Sequence, residues 1–203
     1  MAVDRFTQLV LASGNRGKLA EFAELFAGTG IDVLDQGALG VAEVEETGLT
    51  FVENALIKAR HAARLTGLPA LGDDSGICVD ALGGAPGLYS ARYAGVHGDA
   101  RANIDKLLAE MREVSDAERT AHFVAVIVLL RYPDDPQPLI AEGRWHGRIA
   151  SAPRGAGGFG YDPVFVSDAH GCTAAELDAS TKHAVSHRGV AMAMLRSRIH
   201  AGL

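Results

Sequence analysis

Residues 9–34, LVLASGNRGKLAEFAELFAGTGIDVL, contain the pattern that decides the fold. The short apolar run of residues 9–12 is followed by a polar turn and then by apolar residues at helical spacing. Gly28 and Gly30 end that helix, and residues 31–34 resume an extended apolar run. The order strand, helix, strand predicts a βαβ-like unit at the start of the chain.

The rest of the chain alternates further helices and strands. Thr50 and Glu53 form a capping box, which predicts a helix over residues 51–66 that ends at Gly67. Strand segments are predicted at 70–74 and 77–79, interrupted by a polar turn at 73–76, and a loop follows at 83–87. Apolar spacing then predicts a helix over about 101–112 and an antiparallel hairpin of 121–131 and 139–145. A C-terminal helix is predicted to include Val185, Met192, Leu195 and Ile199. This order predicts a single α/β domain over residues 1–203, with a mixed central sheet and flanking helices.

Composition narrows the class of protein. The 203 residues are 48% hydrophobic and 22% charged, and the net charge of -6 argues against a broad basic surface for nucleic acid. The two cysteines lie far apart, so neither a disulfide framework nor a zinc site is indicated, and free thiols fit a reducing cytosol. The N-terminal apolar run is too short for a signal peptide, and no stretch approaches about 18 apolar residues. We therefore expect a cytoplasmic protein with no nucleic-acid or membrane partner.

The polar turn at residues 13–18, SGNRGK, separates the first strand from the first helix. Its two glycines let the backbone approach a ligand, the helix N-terminus presents free N–H groups, and Lys18 adds a positive charge. These features suit a triphosphate, although ordinary strand-to-helix turns share them. The turn is not a Walker A loop, because Ala12 stands where that motif begins with glycine and Leu19 follows the lysine.

Acidic side chains cluster in the loop of residues 43–46 and in the pair Asp73 and Asp74. Mg²⁺ takes oxygen ligands of this kind, usually one or two carboxylates with phosphate and water completing its shell. A carboxylate can also orient or deprotonate an attacking water. The position of Asp73 and Asp74 between apolar runs favours such a role, whereas the glutamates of residues 43–46 also fit a solvated loop.

Basic side chains follow at Lys58, inside the capped helix, and at Lys182, His187 and Arg188, near the start of the last helix. They offer positive charge to a polyanionic ligand, but each fits better, taken alone, as a solvent-facing helical position. The other histidines show no metal-ligand spacing. No nucleophile elbow or Ser/His/Asp arrangement indicates covalent catalysis.

The segment GAGGFGYDP, residues 155–163, embeds an aromatic residue among glycines. Such a setting exposes the ring face of Phe159 to a purine, and Asp162 can accept a hydrogen bond from a base N–H. The alternative is a glycine-rich turn that an aromatic side chain anchors. The pattern thus indicates a base-binding loop without requiring one.

Five segments together resemble the inosine/xanthosine triphosphate pyrophosphatase family. They are LASGNRGKLAEF, EETGLTFVENALIKARHAA, ALGDDSGICVDALGGAPGLYSARYAG, GGFGYDPVF and SHRGVAM, and they span nearly the whole chain. The resemblance implies a mixed-sheet α/β fold of two lobes around a substrate cleft, and a homodimer. It also implies Mg²⁺-dependent hydrolysis of inosine, deoxyinosine and xanthosine triphosphates to monophosphate and pyrophosphate, which removes them before they enter DNA and RNA.

The resemblance also implies a role for particular residues. Asp74 corresponds to the proton acceptor and to a metal ligand, with Glu45 as the other metal ligand, although its neighbour Glu46 is easily confused with it. The implied substrate contacts are Ser13, Gly14, Asn15, Arg16, Gly17, Lys18, Lys58, Ser75, Phe159, Gly160, Tyr161, Asp162, Lys182, His187 and Arg188.

Two rival functions share some of these features. A nucleotide pyrophosphatase of the septum-inhibitor type also couples a Ser/Asn/Lys-like opening turn to carboxylates, and a substrate panel separates it from the family above. A non-catalytic nucleotide sensor belongs to another class, and the intact Glu45, Asp73 and Asp74 argue against it.

Overall fold

The computed structural model describes residues 6–200, apart from the side chains of Arg16 and His200. The predicted substrate contact through the Arg16 side chain therefore lies outside the described residues. Within them a six-stranded sheet has the order β2-β1-β3-β4-β5-β6. Its strands are Gln8–Ala12 (β1), Asp32–Asp35 (β2), Ala70–Val79 (β3), Thr120–Leu130 (β4), Leu139–Ile149 (β5) and Phe165–Ser167 (β6).

Five α-helices accompany these strands in the described residues. They are Arg16–Leu25 (α1), Phe51–Thr66 (α2), Ala100–Glu110 (α3), Ala179–Val185 (α4) and His187–His200 (α5). Strand β1 pairs in parallel with β2 and β3, whereas β5 pairs antiparallel with β6. The predicted mixed sheet with flanking helices is confirmed. No helix among residues 6–200 has the length and apolar character that a membrane span needs.

Local sequence signals account for the ends of the helices. The Asn15 side chain caps α1 by accepting from the Gly17 and Lys18 N–H groups, and Thr50 caps α2 by accepting from the Glu53 N–H. Helix α2 ends at Gly67, whose φ of 71° is left-handed and suits a residue without a Cβ. The predicted bounds of α2 are confirmed.

Two predictions about the continuity of an element were wrong. Residues 73–76 do not form a turn, because β3 runs without a break from Ala70 to Val79. Val185 does not belong to the C-terminal helix, because it ends α4, and α5 begins at His187 after the extended residue Ser186. In the first case the polar residues 73–76 predicted an interruption of the strand, and in the second the apolar spacing predicted that the last helix includes Val185. Packing decides otherwise in both. The predicted hairpin strands β4 and β5 are hydrogen-bonded neighbours in the sheet.

The chain divides into two compact units. In the described residues the first comprises 6–74, 126–142 and 191–200, and the second comprises 75–125 and 143–190. In the first unit, buried alanines of α2 pack with β1 and the start of β3, and in the second an aromatic and aliphatic core includes Phe123, Trp145 and Phe165. The expectation of a single domain over residues 1–203 stays a prediction.

Candidate active site

The polar turn after β1 lies at the carboxyl end of a parallel strand pair. Ala12, the last residue of β1, is the register partner of Gly72 in β3. Ser13, which follows β1, therefore lies beside Asp73, where β3 continues beyond its pairing with β1. The carboxyl end of a parallel strand pair is where open α/β sheets bind their ligands, so the sheet itself brings the turn and the two aspartates together.

The turn is held in shape by its own side chains. Ser13 Oγ accepts from the Asn15 N–H at 3.2 Å, and Asn15 Oδ1 accepts from the Gly17 N–H at 2.9 Å. A Cβ at Gly14 would lie 2.7 Å from a carboxylate oxygen of Glu43, so the Glu43 side chain comes close to the backbone of the turn. The predicted phosphate turn is thus a capped helix start beside the acidic loop.

Lys18 and Asp73 form an ion pair in the first unit. The Nζ atom of Lys18 lies 2.7 Å from Asp73 Oδ2, and the Asp73 side chain is fully buried. A buried carboxylate is costly unless a charge and hydrogen bonds compensate it. Asp73 therefore fixes the ammonium group of Lys18 at the start of α1, a role that the sequence pattern did not specify.

A close contact between α2 and β3 places the second lysine. A Cβ at Gly72 would lie only 2.0 Å from the carbonyl oxygen of Ala55, so the backbone of α2 approaches the strand more closely than any other residue would allow. Lys58 stands three residues after Ala55, on the same side of the helix. Its Nζ lies 2.8 Å from Asp74 Oδ1 and 3.3 Å from Glu46 Oε1.

The electrostatics of this group follow from burial and charge. Burial raises the pKa of Asp74 above its usual range and outweighs the opposing effect of the Lys58 ammonium. Burial also opposes ionisation of Lys58, but the attraction of Asp74 and Glu46 is larger and raises its pKa. Asp74 is thus a carboxylate whose basicity is increased by its surroundings, as a proton acceptor requires.

Within the acidic loop, Glu46 rather than Glu45 contacts the lysine. Glu46 is half-buried and pairs with Lys58, whereas the Glu45 side chain is exposed. The assignment of Glu45 as the metal ligand stays a prediction. Adjacent glutamates in a loop share the same local sequence, so only the path of the loop distinguishes them.

In the second unit, the glycine-rich segment presents Phe159 to solvent. The residue is 62% exposed, which is unusual for a phenylalanine in a folded chain. Lys182 Nζ lies 4.8 Å from the ring centroid, within reach of a cation–π interaction. The loop thus presents an exposed phenylalanine with a cation beside it, and its role in binding a base stays a prediction.

The neighbours of Phe159 are turned inward. Tyr161 is buried in the core of the second unit and its hydroxyl donates to the Ser90 carbonyl at 2.9 Å. Asp162 is also buried, and its Oδ2 accepts from the Phe159 N–H and from Lys182 Nζ. The side chains of Tyr161 and Asp162 therefore support the loop, and Gly160 connects it with a left-handed φ of 58°.

His187 and Arg188 begin α5 and are oriented by neighbours. The His187 ring stacks on Phe123 with ring centroids 4.8 Å apart and planes 11° from parallel. Arg188 is buried, and its Nη2 lies 3.4 Å from Ser75 Oγ. Phe123 was not predicted as a contributor, and the near-continuous apolar run of β4, buried throughout residues 123–130, carries no alternation that singles it out.

The fold and these side chains define a class of α/β protein with a capped turn, two lysines and two aspartates at the carboxyl edge of a parallel strand pair. The chain belongs to the Ham1 family, whose profile matches residues 9–198. It is 64% identical over 193 residues to the dITP/XTP pyrophosphatase of Xanthomonas campestris pv. campestris, which covers 95% of this chain and 97% of that protein. The resemblance inferred from the sequence is confirmed.

Solved structures agree with this assignment. The HAM1 protein of Coxiella burnetii superposes with a TM-score of 0.93 at 49% identity, over 97% of this chain and all of that one. The Ham1 protein of Staphylococcus aureus gives a TM-score of 0.87 at 38% identity, over 96% of this chain and 98% of that one. The mixed-sheet fold is therefore the fold of the family.

Proposed function

We propose that this protein is a nucleoside triphosphate pyrophosphatase that hydrolyses inosine, deoxyinosine and xanthosine triphosphates to the monophosphate and pyrophosphate. One observation carries the proposal: Lys58, itself paired with Glu46, contacts Asp74, a carboxylate whose pKa burial has raised. The names of the relatives and the phosphate turn after β1 support the same conclusion. A basic carboxylate beside fixed positive charges is suited to phosphoryl chemistry.

The carboxylates suit a magnesium ion. Asp74 Oδ2 is buried and accepts no hydrogen bond from any described residue, so it is available to a cation. Residues 6–200 hold no group of three or more His, Cys, Asp or Glu side chains that a metal would need as a full protein shell. Mg²⁺ commonly binds through one or two carboxylates with phosphate and water, so Asp74 with Glu45 or Glu46 would hold it. When bound, the ion would neutralise charge on the triphosphate.

The residues of the first unit then have separate tasks. Asp74 takes a proton from the water that attacks the α-phosphorus, and its raised pKa favours that transfer. Lys18 and Lys58 stabilise the negative charge that develops on the phosphate oxygens, and backbone N–H groups of the turn bind the triphosphate. Pyrophosphate is the leaving group, so the bond between the α- and β-phosphates breaks.

Recognition of the base falls to the second unit. Phe159 offers its exposed face for stacking, which every purine shares and which therefore supplies affinity without selectivity. His187 and Arg188 are N–H donors that suit the 6-keto oxygen of hypoxanthine and xanthine. The 6-amino group of adenine would meet these donors with another donor and leave them unsatisfied.

A pyrophosphate-release assay over the common and deaminated nucleotides tests the proposal. With Mg²⁺, inosine triphosphate is expected to give monophosphate and pyrophosphate in equal amounts, because water attacks the α-phosphorus. Release of orthophosphate through the diphosphate would contradict the proposal. Equal rates with all nucleotides would favour the septum-inhibitor type, and binding without turnover would favour a sensor.

A second prediction concerns the stacking platform. Phe159→Ala is expected to raise KM for inosine triphosphate by about tenfold or more, since base stacking contributes roughly 1–3 kcal/mol and about 1.4 kcal/mol corresponds to one decade. Steady-state kinetics of the folded variant give the answer. Tyr89→Ala is a matched control, because Tyr89 is an equally exposed aromatic of the same unit with no predicted role. An unchanged KM in Phe159→Ala would restore the alternative of an anchored glycine turn.

We also propose that the enzyme is a cytoplasmic homodimer. The proposal of a dimer rests on the family resemblance, and the location rests on the two free thiols, Cys78 and Cys172, which suit a reducing compartment. Light scattering of the purified protein measures the mass of the assembly.

A further inference from the structure

Asp162 is the centre of a small hydrogen-bonded cluster in the second unit. The residue is only 4% exposed, and a single carboxylate oxygen accepts two hydrogen bonds. Oδ2 accepts from the Phe159 N–H at 2.6 Å and from Lys182 Nζ at 2.5 Å. Since Lys182 Nζ also lies 4.8 Å from the centroid of the Phe159 ring, the three residues are linked in one cluster.

The backbone of the glycine-rich loop approaches this carboxylate closely. A Cβ at Gly158 would lie 2.1 Å from Asp162 Oδ2, and the φ of Gly158 is +73°, which side chains rarely adopt. Only glycine therefore lets the backbone approach the oxygen so closely. The backbone N–H of the next residue, Phe159, donates to the Asp162 carboxylate, while the residue itself stays exposed.

An exposed aromatic ring on a glycine-rich loop would ordinarily be mobile, and a ligand would have to order it on binding. That ordering costs free energy, which a ring held in position beforehand does not require. Charge-assisted hydrogen bonds such as those of Asp162 are short and strong, so they are suited to fixing the loop. They also place the lysine ammonium over the ring.

We propose that Asp162 is a positioning residue, which fixes Phe159 and Lys182 before the purine binds, and that it does not itself accept a hydrogen bond from the base. This assignment rests on the proposed function, because it takes the ring as the platform for a purine. It replaces the interpretation that the sequence pattern favours, in which Asp162 accepts from a base N–H. The reason is that Oδ2 already accepts from two donors of its own chain and that the residue as a whole is only 4% exposed.

A double-mutant cycle between Asp162→Ala and Phe159→Ala tests the proposal. If Asp162 acts through the ring, Asp162→Ala alone should raise KM for inosine triphosphate by about tenfold, as loss of stacking does. In the Phe159→Ala background the same change should add less than about twofold, because coupled residues are non-additive. Multiplication of the two single effects would overturn the proposal.

The base itself provides a second readout, which distinguishes a positioning residue from one that accepts a hydrogen bond from the base. A carboxylate that accepts from the base N1–H would distinguish inosine triphosphate from adenosine triphosphate, which lacks that proton. Asp162→Ala would then weaken binding of the first alone. A positioning residue weakens both by the same factor, measured as KM for inosine triphosphate and as the inhibition constant for adenosine triphosphate. A loss confined to the inosine nucleotide would contradict the proposal.

Asp162→Asn replaces Asp162→Ala in the double-mutant cycle if the alanine variant fails to fold. Asparagine retains a side-chain oxygen for the Phe159 N–H but removes the charge that pairs with Lys182, so a smaller rise in KM is expected, again lost in the Phe159→Ala background. Calorimetry with inosine monophosphate, which is not hydrolysed, gives the same cycle as Kd values. A wild-type enzyme that releases no pyrophosphate would therefore overturn the proposed function while the cycle still decides the role of Asp162.

Discussion

Asp74→Asn is expected to leave the protein folded and to lower kcat for inosine triphosphate by at least about a thousandfold. Asparagine keeps the size of the side chain and an oxygen that accepts from Lys58, so packing should survive. It removes the basicity that activates water, and a positioned general base alone contributes on the order of 10²–10⁴-fold. It also removes a negative charge that would bind Mg²⁺. Steady-state kinetics at saturating Mg²⁺ give kcat, and single-turnover measurements give the rate constant of hydrolysis without the contribution of product release.

The neighbouring Asp73→Asn is the matched control. Asp73 pairs with Lys18 rather than with Lys58, so its loss should weaken only the fixation of Lys18. We expect the damage to kcat to be smaller than in Asp74→Asn. The assignment fails if Asp74→Asn keeps more than about a tenth of the wild-type kcat, well above what loss of a general base allows, or if Asp73→Asn is the more damaging change.

Lys58→Met is expected to lower kcat/KM by at least about a hundredfold, because removal of one donor to developing phosphate charge costs roughly 10²–10³-fold. The change also has a pH signature. The Lys58 charge lowers the pKa of Asp74 against the larger effect of burial, so its removal leaves burial less opposed and raises that pKa further. Asp74 then ionises only at higher pH, and the acid limb of the kcat/KM profile should move to higher pH.

Arg64→Met is the control from the same helix. Arg64 forms an exposed ion pair with Asp134, 3.2 Å away, and exposed pairs contribute little. Both kcat/KM and its pH profile should stay close to those of the wild type. An acid limb that moves to lower pH in Lys58→Met would show that the lysine does not favour ionisation of Asp74.

Several parts of the structure could be predicted from local sequence. The βαβ start, helix α2 and its two caps follow from apolar spacing and from residues such as Thr50, Glu53 and Gly67, whose preferences act over one helical turn. The exposed position of Phe159 follows in the same way from the glycines around it. Recognition of the family depended on several such segments in order along the chain.

The partners of the charged residues could not be predicted in this way. Lys18 meets Asp73 across 55 positions of sequence, and Lys58 meets Asp74 because Gly72 lets α2 approach β3 closely. Neither contact leaves a periodic or local signal. For the same reason, the sequence could not predict that Glu46, not Glu45, contacts Lys58.

The sequence by itself thus determined the class of fold, the family and which residue types are available for the chemistry. The tertiary structure alone decided that residues 73–76 continue β3, that Tyr161 is buried, and that Asp162 accepts from its own loop. The physical reason is that turn and cap preferences arise from neighbours along the chain. Strand continuation, burial and ion pairing depend on atoms that only packing brings within a few ångströms.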